Sequence, residues 1–185
     1  MPGTSNPHAL LLTGPPGAGK TTVARILAAE SDRSVHVETD TFFHFIARGY
    51  VPPWTPESHP QNIAVMGIAA RAAASYAAAG YAVIADGIVI PGWFLPAFSE
   101  AFADSGVQLD YAVLRPNLAE TLARAMKRDD SRSEPDVVAS IWRQFEDLGP
   151  LESHAFDSSD LTPEKTAALI REGIESGWLR LKASN

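Results

Sequence analysis

The sequence predicts an α/β fold, a parallel β-sheet with helices over both faces, and three observations carry that prediction. Short segments that are apolar throughout recur along the chain, as expected of strands buried on both sides. Longer segments of helical period separate them, the alternation that parallel strands need for their crossovers. No repeat, low-complexity tract or linker divides the 185 residues, 45% of them apolar, so one core is the expectation.

The first strand is read at 8–13, where HALLLT gives way to a turn of glycines and prolines. A helix follows at 20–30. Strands are expected at 35–38 (VHVE), 81–85 (YAVIA) and 109–114 (LDYAVL), with a weaker fifth around 154–157. Helical spacing marks 61–79, 94–104, 117–128, 135–148 and 163–181. The irregular pieces are 49–60 (GYVPPWTPESHP), 87–92 and 129–134 (DDSRSE). Ligands of such sheets sit beyond the carboxyl ends of the strands, so the loops there draw attention.

Composition narrows the classes. A net charge of −7 argues against a general binder of nucleic acid or of membrane surfaces, which needs a basic face. The absence of cysteine excludes disulfides and thiolate metal sites. The start, MPGTSNPH, has no basic segment followed by an apolar one, so no signal peptide is expected. No stretch approaches the ~18 apolar residues of a membrane span. The expectation is a soluble cytoplasmic protein; its oligomeric state is not legible.

Residues 10–22 read LLLTGPPGAGKTT. Gly14, Gly19, Lys20 and Thr21 satisfy the pattern G-x-x-x-x-G-K-[ST] known as Walker A. Glycines let the loop Gly14-Pro15-Pro16-Gly17-Ala18-Gly19 curl, so that successive N–H groups face an anion. The helix opening at Lys20, Thr21 and Thr22 adds the positive end of its dipole. Lys20 is expected on the β- and γ-phosphates of a nucleotide and the Thr21 hydroxyl on Mg²⁺. An ordinary Gly/Pro turn would not need to lie between an apolar strand and a helix.

Two carboxylates end strands at the same sheet edge. Asp40 follows VHVET and Asp86 follows VIA. Phosphoryl transfer needs one group to orient or deprotonate the attacking hydroxyl and another to hold the hydrated metal. Asp40 is assigned to the hydroxyl and Asp86 to the metal. Asp40 as a helix N-cap, Asp86 as a turn aspartate before Gly87, and Glu38 as a rival of Asp40 are the alternatives.

Four of the fifteen Lys/Arg fall within nine residues: Arg124, Lys127, Arg128 and Arg132. Arg124 and Arg128 are four apart and share a helix face, where either would clamp a transferring phosphoryl group. Asp129 and Asp130 follow at once, so a self-paired surface is the alternative. Further upstream lie Phe42, Phe43, His44, Phe45, Arg48, Tyr50 and Trp54. Phe42, Phe45 and Ile46 have helical spacing and are expected to pack. Phe43, Trp54 and the cation Arg48, together with Trp93 and Phe94, are expected around an acceptor pocket. Arg115 is read as a strand-end surface residue or a contact to nucleotide or acid.

With these residues in place, the chain resembles small P-loop kinases: chloramphenicol phosphotransferase, gluconate kinase, shikimate kinase and zeta-toxin-like kinases. It looks closer still to bacterial AAA-family ATP-binding proteins of this size, through ETDTFFHFIARGYVPPWTPESH and VIADG. The resemblance implies a three-layer P-loop NTPase fold, with a five-stranded parallel sheet of order 2-3-1-4-5. It implies one domain over 1–185, a lid around 124–135 and an acceptor side around 41–60. It further implies ATP and Mg²⁺ as cofactors and transfer to a hydroxyl of a small molecule, of antibiotic or nucleoside-like kind. An ATP-binding protein without an acceptor and a nucleotide-sugar kinase are the other readings. Asp40 occupies the place of the base in the antibiotic-modifying relatives, and Asp86-Gly87 that of the adenylate-type Asp-Gly. The arginine that follows there in adenylate-type kinases is missing from GIVIPGW. Shikimate-type arginine triplets are absent too. Residues 157–162 are expected on the adenine side, or as caps of the helix after them.

Overall fold

A computed structural model of the chain describes residues 8–127 and 134–182. Strand β1 (Ala9–Thr13) is wholly buried. It pairs in parallel with β3 (Ala82–Gly87) on one side and β4 (Leu109–Leu114) on the other. Strand β2 (Ser34–Glu38) flanks β3, and the two-residue β5 (Ala155–Phe156) flanks β4. The order is β2-β3-β1-β4-β5, as the resemblance implies.

Alternate residues of β1 feed two cores, as the pleat requires. Ala9 and Leu11 face helices α2 (His59–Ala78) and α3 (Leu95–Ser105), packing with Met66, Ala70 and Phe98. Leu10 and Leu12 face α1 (Lys20–Ala28) and α6 (Pro163–Ser176), packing with Val23, Leu27 and Ile170. Small, fully buried residues, Ala69, Ala70, Ala73 and Ala77, let α2 pack close to the sheet. Helices α4 (Leu118–Ala125) and α5 (Pro135–Arg143) pack on each other beyond β4.

Three expectations change. The segment TDTFFHF forms a 3₁₀ helix, Thr39–Phe45, and the α-helix that follows begins at His59 after a further 3₁₀ turn, Pro56–Ser58. Helix α5 stops at Arg143, well short of 148. Helix α6 stops at Ser176 rather than at 181. Beyond it the chain turns back along the edge of β4: Tyr111 N donates to Leu179 O at 2.9 Å, and Leu181 N donates to Leu109 O at 3.0 Å. Because β5 covers only Val113 and Leu114, this antiparallel stretch closes the rest of an otherwise open edge.

The same stretch sets Arg180 opposite Asp110, a β4 carboxylate that is 2% exposed. Burial outweighs the Arg180 charge and raises its pKa from 3.8 to about 6. The folded state therefore holds this proton more tightly than the unfolded chain, and stability falls as pH rises from 3.8 through about 6. Asp110→Asn is expected to stabilise the protein at pH 8 by about 1–2 kcal/mol, after allowance for screening. Thermal melts of both proteins should show the gap shrinking toward zero by about pH 4.

Candidate active site

The first part of the site grows out of β1. The chain leaves Thr13 into the glycine-rich loop, and α1 starts at Lys20 with no acidic residue in its first turn to offset its positive end. Lys20 Nζ donates to the carbonyls of Gly14 and Pro15, each at 2.9 Å. Ala18 N donates to Pro15 O at 3.2 Å, closing the turn. Ala18 is buried, Thr21 half-buried and Thr22 exposed.

The second part is the end of β3. Asp86 lies within the strand, in register with Leu12 and Glu38, so it is not a turn aspartate. It shares the strand face of Ile84, the face that α1 covers. It is 4% exposed, and its Oδ2 lies 3.5 Å from His36 Nε2. Among the described residues Oδ2 has no hydrogen-bond partner. A buried carboxylate oxygen of that kind suits a hard divalent cation. Gly87 follows because a Cβ there would lie 1.9 Å from Thr39 Oγ1. Glu38, the rival of Asp40, is ion-paired with Arg25 at 2.9 Å.

The third part is a cavity of about 750 Å³, within the range of small-molecule sites. Pro16 of the glycine-rich loop and Asp40 both belong to its wall, with Thr39, Phe43 and His44 of the 3₁₀ helix. Tyr50 and Trp54 line it from the following loop, and Ile88, Ile90, Trp93 and Phe94 from the segment after β3. That segment is pinned: Val89 N donates to Thr13 Oγ1 at 2.7 Å, and Tyr111 OH donates to Val89 O at 2.9 Å.

The AAA domain family matches residues 10–148. The chain belongs to the AAA domain family. Among solved structures it is similar to the tunicamycin resistance protein of Deinococcus radiodurans, with 16% identity and a TM-score of 0.69 over 95% of this chain and 99% of that one. A sugar kinase from Janibacter sp. HTCC2649 shares 20% identity, with a TM-score of 0.70 over 91% and 95% of the two chains. The APS kinase of Mycobacterium tuberculosis shares 14%, with a TM-score of 0.61 over 92% and 98%. At such identities the likeness establishes the fold, that of small P-loop kinases. No functionally curated protein matches the chain.

In this AAA domain protein the loop carrying Tyr50 and Trp54 is tied to the first turn of α2. Gln61 grips Val51 from both sides, donating to its carbonyl at 2.7 Å and accepting from its N–H at 2.8 Å. Asn62 donates to Pro53 O at 2.7 Å and to Ser58 Oγ at 2.9 Å. Gln61→Ala should therefore loosen the aromatic wall. The expected result is a loss of about 1.4 kcal/mol of hydrogen bonding to the loop, read as about tenfold faster hydrogen exchange at the Val51 amide.

The wall opposite was not foreseen. Helix α5 contributes Asp136, Val137, Ser140 and Ile141, and Gln144 follows at its C-terminal cap, two sets at four-residue spacing on one face. Trp142 Nε1 donates to Pro116 O at 2.8 Å, and Arg115 donates to Phe145 O at 2.9 Å while pairing with Glu152. Arg115 is thus the tie that holds the end of α5 to β4. Arg48 is exposed and does not belong to the cavity wall, and Ile46 before it has extended backbone. Phe45 is 72% exposed, meeting Phe42 edge to face instead of entering the core.

Arg124 pairs with Glu120 at 2.6 Å and donates to Ser159 O at 2.9 Å. It thereby braces the loop after β5. In that loop the Ser159 hydroxyl and amide hold the Asp157 carboxyl below its ordinary pKa. Thr162 caps α6 by accepting from Lys165 N at 3.3 Å. Arg128, Arg132, Asp129 and Asp130 lie outside the described residues.

Proposed function

We propose that the protein is a Mg²⁺- and ATP-dependent phosphotransferase acting on a hydroxyl of a small molecule, of antibiotic or nucleoside-like kind. One observation carries the reading: Pro16 of the phosphate loop and Asp40 share the wall of one cavity. A γ-phosphoryl group seated on the loop and a hydroxyl in that cavity then meet beside a carboxylate.

The backbone amides of Gly14 to Thr21 bind the phosphates, assisted by the dipole of α1. Lys20 leaves its two carbonyl partners for the β- and γ-phosphates. Thr21 and Asp86 would hold Mg²⁺, which would neutralise charge on the phosphate oxygens. Asp40 accepts the hydroxyl proton as the oxygen bonds to γ-phosphorus; the bridge to the β-phosphate breaks and ADP leaves. Arg124 or Arg128, on a lid around 124–135, would approach the transferring group as the lid closes and excludes water. In this reading 1–185 is one cytoplasmic domain.

ADP release measured across hydroxylated metabolites and antibiotics tests the proposal. Release that rises in proportion to one class of alcohol supports it. Release that is indifferent to every added alcohol would leave only a nucleotide-binding module or slow NTPase.

A further inference from the structure

Phosphoryl transfer leaves one buried pair of polar atoms beside Asp86 without a role. His36 of β2 lies in register with Ile84 of β3, and Glu38 with Asp86. The pleat then sets all four side chains on one face of the sheet, the face that α1 covers. There the His36 ring stands between two carboxylates: Nε2 is 3.5 Å from Asp86 Oδ2, and Nδ1 is 3.7 Å from Glu38 Oε1.

The two sides of the ring differ. Glu38 is already engaged, since its Oε1 accepts from Arg25 at 2.9 Å, and its side chain is 38% exposed, so water serves it too. Asp86 Oδ2 and His36 Nε2 are both buried, and neither has a hydrogen-bond partner among the described residues. Two desolvated polar atoms left unmatched side by side are costly. A shift of about 0.5 Å brings them within hydrogen-bond distance. A carboxylate oxygen only accepts, so the match needs the hydrogen of the neutral ring on Nε2. The carboxylate keeps further lone pairs open to a cation, while an N–H on one oxygen restricts its rotation about the Cβ–Cγ bond.

We propose that His36 is the residue that positions Asp86: its Nε2–H holds Oδ2, so the carboxylate is oriented before any metal binds. Arg25 and Glu38 continue the chain outward from the far nitrogen of the ring. The inference rests on the assignment of Asp86 to Mg²⁺ in the phosphotransferase reading and goes one residue beyond it. Metal-ligating side chains are commonly fixed by hydrogen bonds of this kind, and losing one costs about 10–100-fold in metal affinity.

Calorimetry with a non-hydrolysable ATP analogue, run once with Mg²⁺ and once with EDTA, reads the gain in affinity that the metal supplies. His36→Leu is expected to cut that gain about tenfold and to leave affinity in EDTA within about twofold. His36→Gln, whose amide nitrogen reaches the place of Nε2, should restore the gain to within about threefold of wild type. A ring that only fills space in the sheet would move both affinities together and would not separate Gln from Leu. NMR of the ring nitrogens, on protein without metal or nucleotide at about pH 8, reads the hydrogen directly, and it is expected on Nε2. If His36→Leu does not fold, His36→Asn takes its place: its shorter amide stops short of Asp86, and the metal gain should fall. A bare Nε2, an undiminished gain in these variants, or a His36→Gln that fails to restore it would each overturn the inference. Asp86→Asn keeps the two proposals apart. If it abolishes the metal gain and loss of His36 does not lower it, the positioning role alone falls. If Asp86→Asn leaves the gain intact, the metal assignment in the phosphotransferase reading fails, whatever the ring does.

Discussion

Gly14→Ala is expected to abolish measurable nucleotide binding. Gly14 sits at φ 144°, and a Cβ there would stand 2.1 Å from the carbonyl oxygen of Leu114, the last residue of β4. Neither partner can yield, because Leu114 is fully buried in the sheet. Gly17 is constrained in the same way: at φ 82° its Cβ would lie 2.6 Å from Thr121 O in α4. Relief requires the loop to move away from β4 and α4, which turns the amides out of their shared concavity. The expected loss is at least about a hundredfold in affinity for an ATP analogue, with about 2–4 kcal/mol of stability. Calorimetry and thermal melts check the two separately. Wild-type affinity in Gly14→Ala would mean that this backbone is not the phosphate seat.

Asp40→Asn should leave ATP affinity within about twofold and reduce acceptor-dependent turnover by about 10²–10⁴, the range for loss of a general base. The substitution preserves size and leaves the 3₁₀ helix Thr39–Phe45 to be held by Phe43, which is 8% exposed. It removes the negative charge and the ability to take a proton. Single-turnover measurement of ADP release isolates the chemical step. Unchanged turnover would remove Asp40 from the mechanism.

These two effects rest on parts of the molecule that were legible to different degrees. Strands β1, β3 and β4 were plain, because a strand buried on both faces writes a mostly apolar run such as ALLLT or LDYAVL, the latter interrupted only by Asp110. The glycine-rich loop was equally plain, since its chemistry demands residue types at fixed spacing. The strand order was not in the periodicity at all; it came with the family resemblance. The end of α6 was misread because Ile170, Ile174, Leu179 and Leu181 prolong an apolar count past Gly177. The alternation of Leu179 with Leu181 is in fact the period of an extended edge.

The cavity was half legible. Asp40, Phe43 and Trp54 were expected at an acceptor site and lie in its wall, as do Trp93 and Phe94. Composition does not say which way a loop turns its side chains, and so Arg48 and Phe45, close neighbours of the wall in sequence, proved to face outward. The contribution of α5 was invisible for a different reason. It depends on Arg115 reaching Phe145 and Trp142 reaching Pro116, contacts 30 and 26 residues apart. Local periodicity marks the α5 face of Val137 and Ile141 as apolar without saying that a cavity, rather than a core, lies beneath it.

The account stands on one arrangement, a phosphate seat opening onto the Asp40 cavity. The most direct measurement is a crystal structure with Mg²⁺ and a non-hydrolysable ATP analogue. It should place the β- and γ-phosphates on the amides between Gly14 and Thr21, with Lys20 turned onto them and the γ-phosphate at the mouth of the cavity beside Asp40. A triphosphate bound elsewhere, or a γ-phosphate walled off from that cavity, would contradict it.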